Sequence, residues 1–517
     1  MNLKVEGKTM KKVLEKIVLV IGVILLGIVS LLNILFVASI KNDWTEHVTI
    51  SYVGILNSVI VFFMIIGIVT LSKYQPKFLS NKIKDKKKLK VFYIVCFAII
   101  LLIYLVVQIL WVKSRNLYPV ADQKFVYEMA KYLHNKDLDS FHSYDYYIKL
   151  YPHQITLVYL WKIIFDIFHS SNTLILQILN AIANCFTIVA LYFIMKLFSK
   201  DYNVNIILGL FVSITSIVLP MLAIFIYGDE IGLALALWGV YFMMKYGKDN
   251  KFYNFIVSSL LLMVSYLFRM NNLIVILAII CYLGIKVFEK EERKIDYIKK
   301  IALILLFVLI SLMPGTILKN ILNKKNNIAT DRSFPVTGYF AMGMSETIRA
   351  NGWYKDDLGK VAFYNVKSAK KLYKQVLDYR ISTFKNSPKY FIKFYVKKIA
   401  SMWCENTYGA MWTNQASKYE ENDNEKNRKV DGILQNKSEK IYLYQKALMV
   451  ILFVGALSAL IKNRKNISDE MLLLLIIFIG GFLFHILWEA KSRYIITYVI
   501  SLIPLMTVMG KKEREEK

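Results

Sequence analysis

Apolar residues fall in long blocks separated by short polar segments, at 17–40, 51–72, 91–112, 174–195, 204–226, 229–245, 253–268, 271–288, 301–320, 443–461, 470–488 and 493–510. A bilayer core takes about 20 apolar residues per spanning helix. The pattern therefore predicts an all-α polytopic membrane protein with about twelve transmembrane helices. The first block follows Lys4, Lys8, Lys11, Lys12 and Lys16. It exceeds the roughly 7–15 apolar residues of a cleavable signal peptide and reads as a retained helix. One further block, 152–168, is short and carries Lys162 and Asp166. It reads as a juxtamembrane helix that does not cross.

Charge orients these spans. The net charge of +29 does not indicate nucleic acid, because Lys and Arg concentrate in short loops between apolar blocks, which is a topology signal. With 152–168 not crossing, the basic loops 73–90, 196–200, 245–251, 286–300 and 462–465 and the tail from Lys511 share one side with the N-terminus. Both termini are then cytoplasmic in a cell membrane, and the segments 113–173, 227–230, 269–272, 321–442 and 489–493 are extracytoplasmic. Four units follow: an N-terminal two-helix extension (1–89), a transmembrane core (90–322), a loop region (323–442) and C-terminal helices with a basic tail (443–517). Cys96, Cys185, Cys281 and Cys404 are too scattered to suggest a disulfide framework or a cysteine metal site.

Candidate chemistry sits in the extracytoplasmic segments. Asp122, just past a spanning helix, suits a general base acting on a hydroxyl and equally a helix N-cap. His153 opens the amphipathic segment, where a structural role is the simpler one. Tyr227-Gly228-Asp229-Glu230 joins two spans with two adjacent acids, and ionisable groups at a membrane edge are costly enough to suggest function. Arg269, Lys491 and Arg493 suit a lipid phosphate or helix-end anchoring. In the long loop, 338–344 and 351–354 read as a compact substrate-facing region. Phe391 to Trp412 reads as an interfacial amphipathic helix, with Phe394, Ile399, Met402 and Trp403 toward lipid and Lys393, Lys397 and Lys398 toward headgroups; the plainer alternative is a lid packed on the helices. Asp137-Leu138-Asp139 mimics a metal-binding acid pair of nucleotide-sugar enzymes and is discounted on this side of the membrane. No P-loop, HExxH, Cys-x-x-Cys or dinucleotide fingerprint is present.

Three stretches resemble the GT-C superfamily of membrane glycosyltransferases, and within it the Gram-positive bacterial relatives of the protein O-mannosyltransferases. They are Pro119-Val120-Ala121-Asp122-Gln123 through Tyr151-Pro152-His153-Gln154, then Met402 to Tyr408, and Leu487-Trp488-Glu489-Ala490-Lys491-Ser492-Arg493-Tyr494. The resemblance covers most of the chain from about residue 90. It implies inverting transfer from a polyprenyl-phosphate sugar to an extracytoplasmic acceptor: a cell-wall polymer, glycolipid or protein. Asp122 is then the catalytic base, with Asp229 or Glu230 as a second acid. His153, Arg269, Lys397, Lys491 and Arg493 are the substrate or phosphate contacts. Two departures stand out. Ala121 replaces the usual glycine, and Gln123 replaces the second acid of many relatives, which leaves no metal or other cofactor assigned.

Three other classes compete. A multi-pass transporter or lipid-linked-sugar flippase would bury charge near the midplane in paired repeats; here ionisable residues gather at one face and no repeat is visible. A membrane acyltransferase would rest on His485 alone. A structural subunit recruiting a partner through 321–442 would need a binding domain, of which that stretch shows no sign.

Overall fold

The computed structural model describes residues 2–41, 45–54, 67, 70, 86–115, 117–199, 204–289, 294–416 and 425–509. Most of the expected span 51–72, the loop 73–85, the acidic stretch 420–424 and the tail 511–517 lie outside them.

The described residues form an almost wholly helical bundle. In chain order they give α1 (Asn2–Leu35), β1 (Phe36–Ile40), β2 (Val48–Tyr52), α2 (Lys86–Arg115), α3 (Asp122–His134), α4 (Leu138–Ser143), α5 (Asp145–Leu150), α6 (Ile155–Phe168) and α7 (Thr173–Phe198). Then follow α8 (Val204–Thr215), α9 (Val218–Leu222), α10 (Asp229–Asp249), α11 (Phe252–Phe268), α12 (Leu273–Val287) and α13 (Lys294–Lys325). The last third holds α14 (Val336–Gly343), α15 (Asp356–Tyr364), α16 (Val366–Asn386), α17 (Pro388–Trp403), α18 (Ala410–Ala416), α19 (Glu425–Lys462), α20 (Asp469–Leu487) and α21 (Ile496–Ile500).

Among the described residues, 8 helices are long and apolar enough to cross a membrane, and Phe252–Phe268 and Ser492–Val508 are shorter apolar stretches. Leu102, Leu110 and Leu305 are more than half exposed. Apolar faces this bare are stable only against lipid. Helix α6, at 14 residues, rises only about 21 Å, well short of a bilayer core.

Four expectations change. Block 17–40 is not one helix: α1 stops at Leu35 and residues 36–40 pair antiparallel with 48–52, Phe36 opposite Tyr52. The span at 204–226 is broken after Thr215. The proposed boundary at 442/443 falls inside α19, a single helix of 38 residues. Finally, α17 is turned the other way from the interfacial reading. Phe394, Ile399, Met402, Trp403 and Lys398 are buried in the protein, and Trp403 packs on Phe478 and Phe482 at 5.4 and 5.5 Å. The reason is the close fit of α17 against α1 and α20, where Asn33 Nδ2 donates to the Trp403 carbonyl at 2.9 Å.

The bundle has two unlike ends. One carries β1–β2, α3–α6 and α14–α18. The other carries Lys11, Lys286, Glu289 and Asp469, which join α1, α12 and α20.

Candidate functional site

The site is built on a stretch that the hydropathy pattern would make helical. Residues 216–228 run largely irregularly through the bundle, and backbone groups freed there need partners. Amides on neighbouring helices supply them. From α7, Asn180 Nδ2 donates to the carbonyls of Ala223 (3.1 Å) and Phe225 (3.0 Å), Asn184 Nδ2 to Leu219 (2.8 Å) and Gln177 Nε2 to Ile224 (3.4 Å). From α3, Gln123 Oε1 accepts the Ile226 N–H at 2.9 Å. The segment ends at Gly228, whose φ is 80° and where a Cβ would lie 2.4 Å from the Phe268 carbonyl oxygen. Only glycine fits such a turn, and α10 then opens on Asp229.

This route delivers Asp229 to two arginines. Arg269 Nε lies 2.8 Å from Asp229 Oδ1, and Arg493 Nη1 is 3.7 Å from Asp229 Oδ2. The arginines stack on aromatics: Arg269 over Tyr227 at 4.9 Å and Tyr494 at 5.5 Å, Arg493 over Phe225 at 3.8 Å. Such stacking holds a guanidinium flat with its edge free for an anion. Arg493 is 6% exposed, and its Nε and Nη1 make no hydrogen bond with the described residues. A buried donor left open costs about 1–3 kcal/mol, so the arrangement stores binding capacity for an acceptor-rich group. Glu230, also buried, lines a small cavity with Asp229, Arg269 and Arg493.

Asp122 starts α3. The residue before it, Ala121, has φ 53°, a left-handed conformation that an alanine strains to adopt. Asp122 is exposed, yet enclosure is the main influence pushing its carboxyl above the ordinary carboxylate range, against the pull of Lys491 and Arg493. The two facts fit together in a recess: accessible, but walled by protein. Its walls are aromatic. Tyr147, Tyr151, Tyr227, Tyr339, Tyr354 and Tyr494 all lie within electrostatic reach of the Asp122 carboxylate. Their hydroxyls are partly linked, Tyr147 to Tyr227 at 2.7 Å and Gln154 Nε2 to Tyr227 at 2.8 Å. Several rings are stacked, Tyr339 on Trp488 at 4.6 Å and Phe125 on Tyr147 at 4.8 Å.

The segment after α20 closes the recess. Glu489 is buried, which pushes its carboxyl up to about 7, and it accepts the Tyr494 hydroxyl at 3.3 Å. Lys491 pairs with Glu46 at 2.5 Å and lies over Trp412 at 5.3 Å. The backbone there is pinned by Lys398, whose ammonium donates to the carbonyls of Gly343 (2.7 Å), Ile486 (2.8 Å) and Trp488 (2.9 Å).

Most residues singled out from sequence thus converge: Asp122, Asp229, Glu230, Arg269, Lys491 and Arg493 share one region. Lys397 does not. It is exposed, about 100° around α17 from the inward-facing Lys398. His153 lies just behind, lining a cavity with Arg269 and Lys319. Burial, aided by those cations, pulls its imidazole down to about 4, and its Nε2 lies 3.2 Å from Gln154 Nε2. Asp137 caps α4, accepting the Ser140 N–H at 3.0 Å. Among the described residues no cluster of His, Cys, Asp and Glu is arranged to hold a metal ion.

Sequence reasoning missed Glu46, the tyrosine walls and the amide clamp. The clamp had a signal, since Gln177, Asn180 and Asn184 share one face of an otherwise apolar helix. Glu46 had none.

Residues 8–513 match a family described as conserved hypothetical integral membrane proteins. The chain belongs to that family. No curated protein and no solved structure matches it. The family places the chain in a membrane and leaves its chemistry to the geometry above.

Proposed function

We propose that the chain is an inverting membrane glycosyltransferase of the GT-C type, moving a sugar from a polyprenyl-phosphate donor to an acceptor hydroxyl. The observation that carries this reading is the accessible Asp122 carboxylate in a tyrosine-walled recess, beside a buried Arg493 with unused donors. A base next to an open anion site is what hydroxyl attack with phosphate departure requires.

Asp122 takes the proton of the acceptor hydroxyl as its oxygen bonds the anomeric carbon. The bond from that carbon to the phosphate oxygen breaks, and its electron pair leaves on the phosphate. Arg493 and Arg269 receive the developing charge, with Lys491 at the rim. Asp229 is a positioning residue in this scheme: it holds both arginines without touching the reacting atoms. The raised Asp122 carboxyl suits the task, because a stronger base is a better proton acceptor. Twelve spans, cytoplasmic termini and an extracytoplasmic site belong to the same proposal, supported by the basic loops and by the ion-paired lysines at the end opposite the recess.

The test is transfer of radiolabelled sugar from a panel of polyprenyl-phosphate hexoses and pentoses into a membrane acceptor extract. Donor-dependent transfer by the native protein, lost in Asp122→Asn at equal folded amount, is the expected outcome. Absence of transfer from every donor, with the fold verified, overturns the reading in favour of a transporter.

A further inference from the structure

The N-terminal segment, which the sequence suggests is an addition to a separate core, reaches into the recess. The β1–β2 hairpin is anchored to the last third of the chain at three points. The Ala38 N–H donates to the Cys404 carbonyl (3.0 Å), the Ile40 N–H to the Tyr442 hydroxyl (3.2 Å) and the Val48 N–H to the Arg349 carbonyl (2.8 Å). These bonds fix the strand ends, and Glu46 lies two residues before β2. Glu46, with φ 50°, stands at the end of the hairpin loop. One carboxylate oxygen is 2.5 Å from Lys491 Nζ and the other 3.5 Å from Arg349 Nε. Arg349 has a second carboxylate, Asp356 at 2.6 Å. Lys491 has only Glu46 within ion-pair distance among the described residues.

Lys491 is also the charge that acts most strongly on Asp122. The other groups facing Asp122 are Arg493 and Arg269, Glu46 and Glu489, and the six tyrosines of the walls. Arg493 and Arg269 are stacked and paired to Asp229, so of the three cations only Lys491 is held by the hairpin. A lysine side chain is long and flexible, and an ammonium released beside an accessible carboxylate pairs with it. Such a pair occupies the oxygens that a base needs free.

We propose that Glu46 is a positioning residue that holds Lys491 away from Asp122, so that the N-terminal hairpin completes the site and keeps the base available. This rests on the reading of Asp122 as the base. The aromatic face of Trp412 supports Lys491 from a second side, which leaves Glu46 as the element that sets how far the ammonium extends.

The test needs no substrate. Full-length protein in nanodiscs is treated with a water-soluble carbodiimide and glycinamide across pH 4–8. Labelling of Asp122, which follows its protonated form, is read by peptide mass spectrometry. Glu46→Gln is expected to lower the labelling midpoint by about one pH unit, since a freed cation stabilises the carboxylate. In a Lys491→Met background the same change is expected to do nothing. An unmoved midpoint overturns the proposal, as does a shift that persists without Lys491, which is bare loss of the Glu46 charge. If Glu46→Gln does not fold, Glu46→Asp, shorter by one methylene, serves in its place. The reaction itself is read separately by sugar transfer. A shifted midpoint in a protein that transfers no sugar keeps the latch and overturns the reaction; transfer with an unshifted midpoint does the reverse.

Discussion

The two ends of the bundle use the same kinds of residue for opposite purposes. At the lysine-rich end, Lys11 meets Glu289 at 2.6 Å and Lys286 meets both Glu289 and Asp469 at 2.5 Å. Lys248 reaches Glu470 at 3.1 Å. Each of these charges is answered by an opposite one, across helices that would otherwise be held by lipid-like contacts alone. At the recess the charges are only partly answered. Among the described residues Arg493 keeps two donors without a hydrogen bond and one Glu230 carboxylate oxygen has none, while six tyrosines lie within electrostatic reach of Asp122. What separates a staple from a site is therefore not the number of charges but whether the fold leaves some of them unsatisfied.

The sharpest break in this comparison comes from Asp122→Asn. Loss of the base is expected to slow transfer by roughly 10²–10⁴, with thermal stability and donor binding nearly unchanged. Equal loss of binding would mean that the recess is held together by that carboxylate. Next is Arg493→Lys. It keeps the charge but gives up the flat fork and the stacking on Phe225, so binding of a polyprenyl phosphate should weaken about tenfold to a hundredfold. Isothermal titration in detergent measures it, and full rescue by Lys would remove the bidentate role.

A third prediction concerns pH. The Glu489 carboxyl lies at about 7 in the folded protein, above the ordinary value of about 4.3. The folded state thus binds the proton more tightly than the unfolded one. Its stabilising contribution is full below about pH 4.3 and is lost as pH rises through about 7. Glu489→Gln should therefore flatten the fall in melting temperature between pH 5 and pH 8, and a curve of unchanged slope would place the titration elsewhere.

The stapled end should respond weakly by contrast. Lys286→Met is expected to cost no more than about 1 kcal/mol, since the pair is partly exposed, and to leave transfer untouched. A large loss of transfer would show the two ends to be coupled. Smallest of all, Ala121→Gly should stabilise the protein by about 1 kcal/mol by relieving the left-handed backbone before Asp122, visible as a modest rise in melting temperature.

Much of this was legible in the chain alone, because a bilayer allows few choices. A run of apolar residues must become a helix that satisfies its own backbone, so the membrane class and most of the spans followed from hydropathy. Acids and bases stranded at helix ends are rare and costly, so Asp122, Asp229, Glu230, Arg269, Lys491 and Arg493 stood out without any coordinates. Their meeting point did not. Asp122, Asp229, Arg269 and Arg493 are far apart along the chain, and no local pattern says that Gly228 presses on Phe268 or that Asp229 falls between two arginines. The facing of α17 was also beyond reach, since its inward Phe394 and Trp403 satisfy a lipid-facing pattern equally well: lipid and protein interior are both apolar. Lys397 and Lys398 are neighbours of one residue type, and only packing decides that one points into the protein and the other away. Glu46 is the clearest case. An acid between two short strands carries no mark of function, and its partnership with Lys491 exists only because tertiary contacts lay the hairpin across the recess.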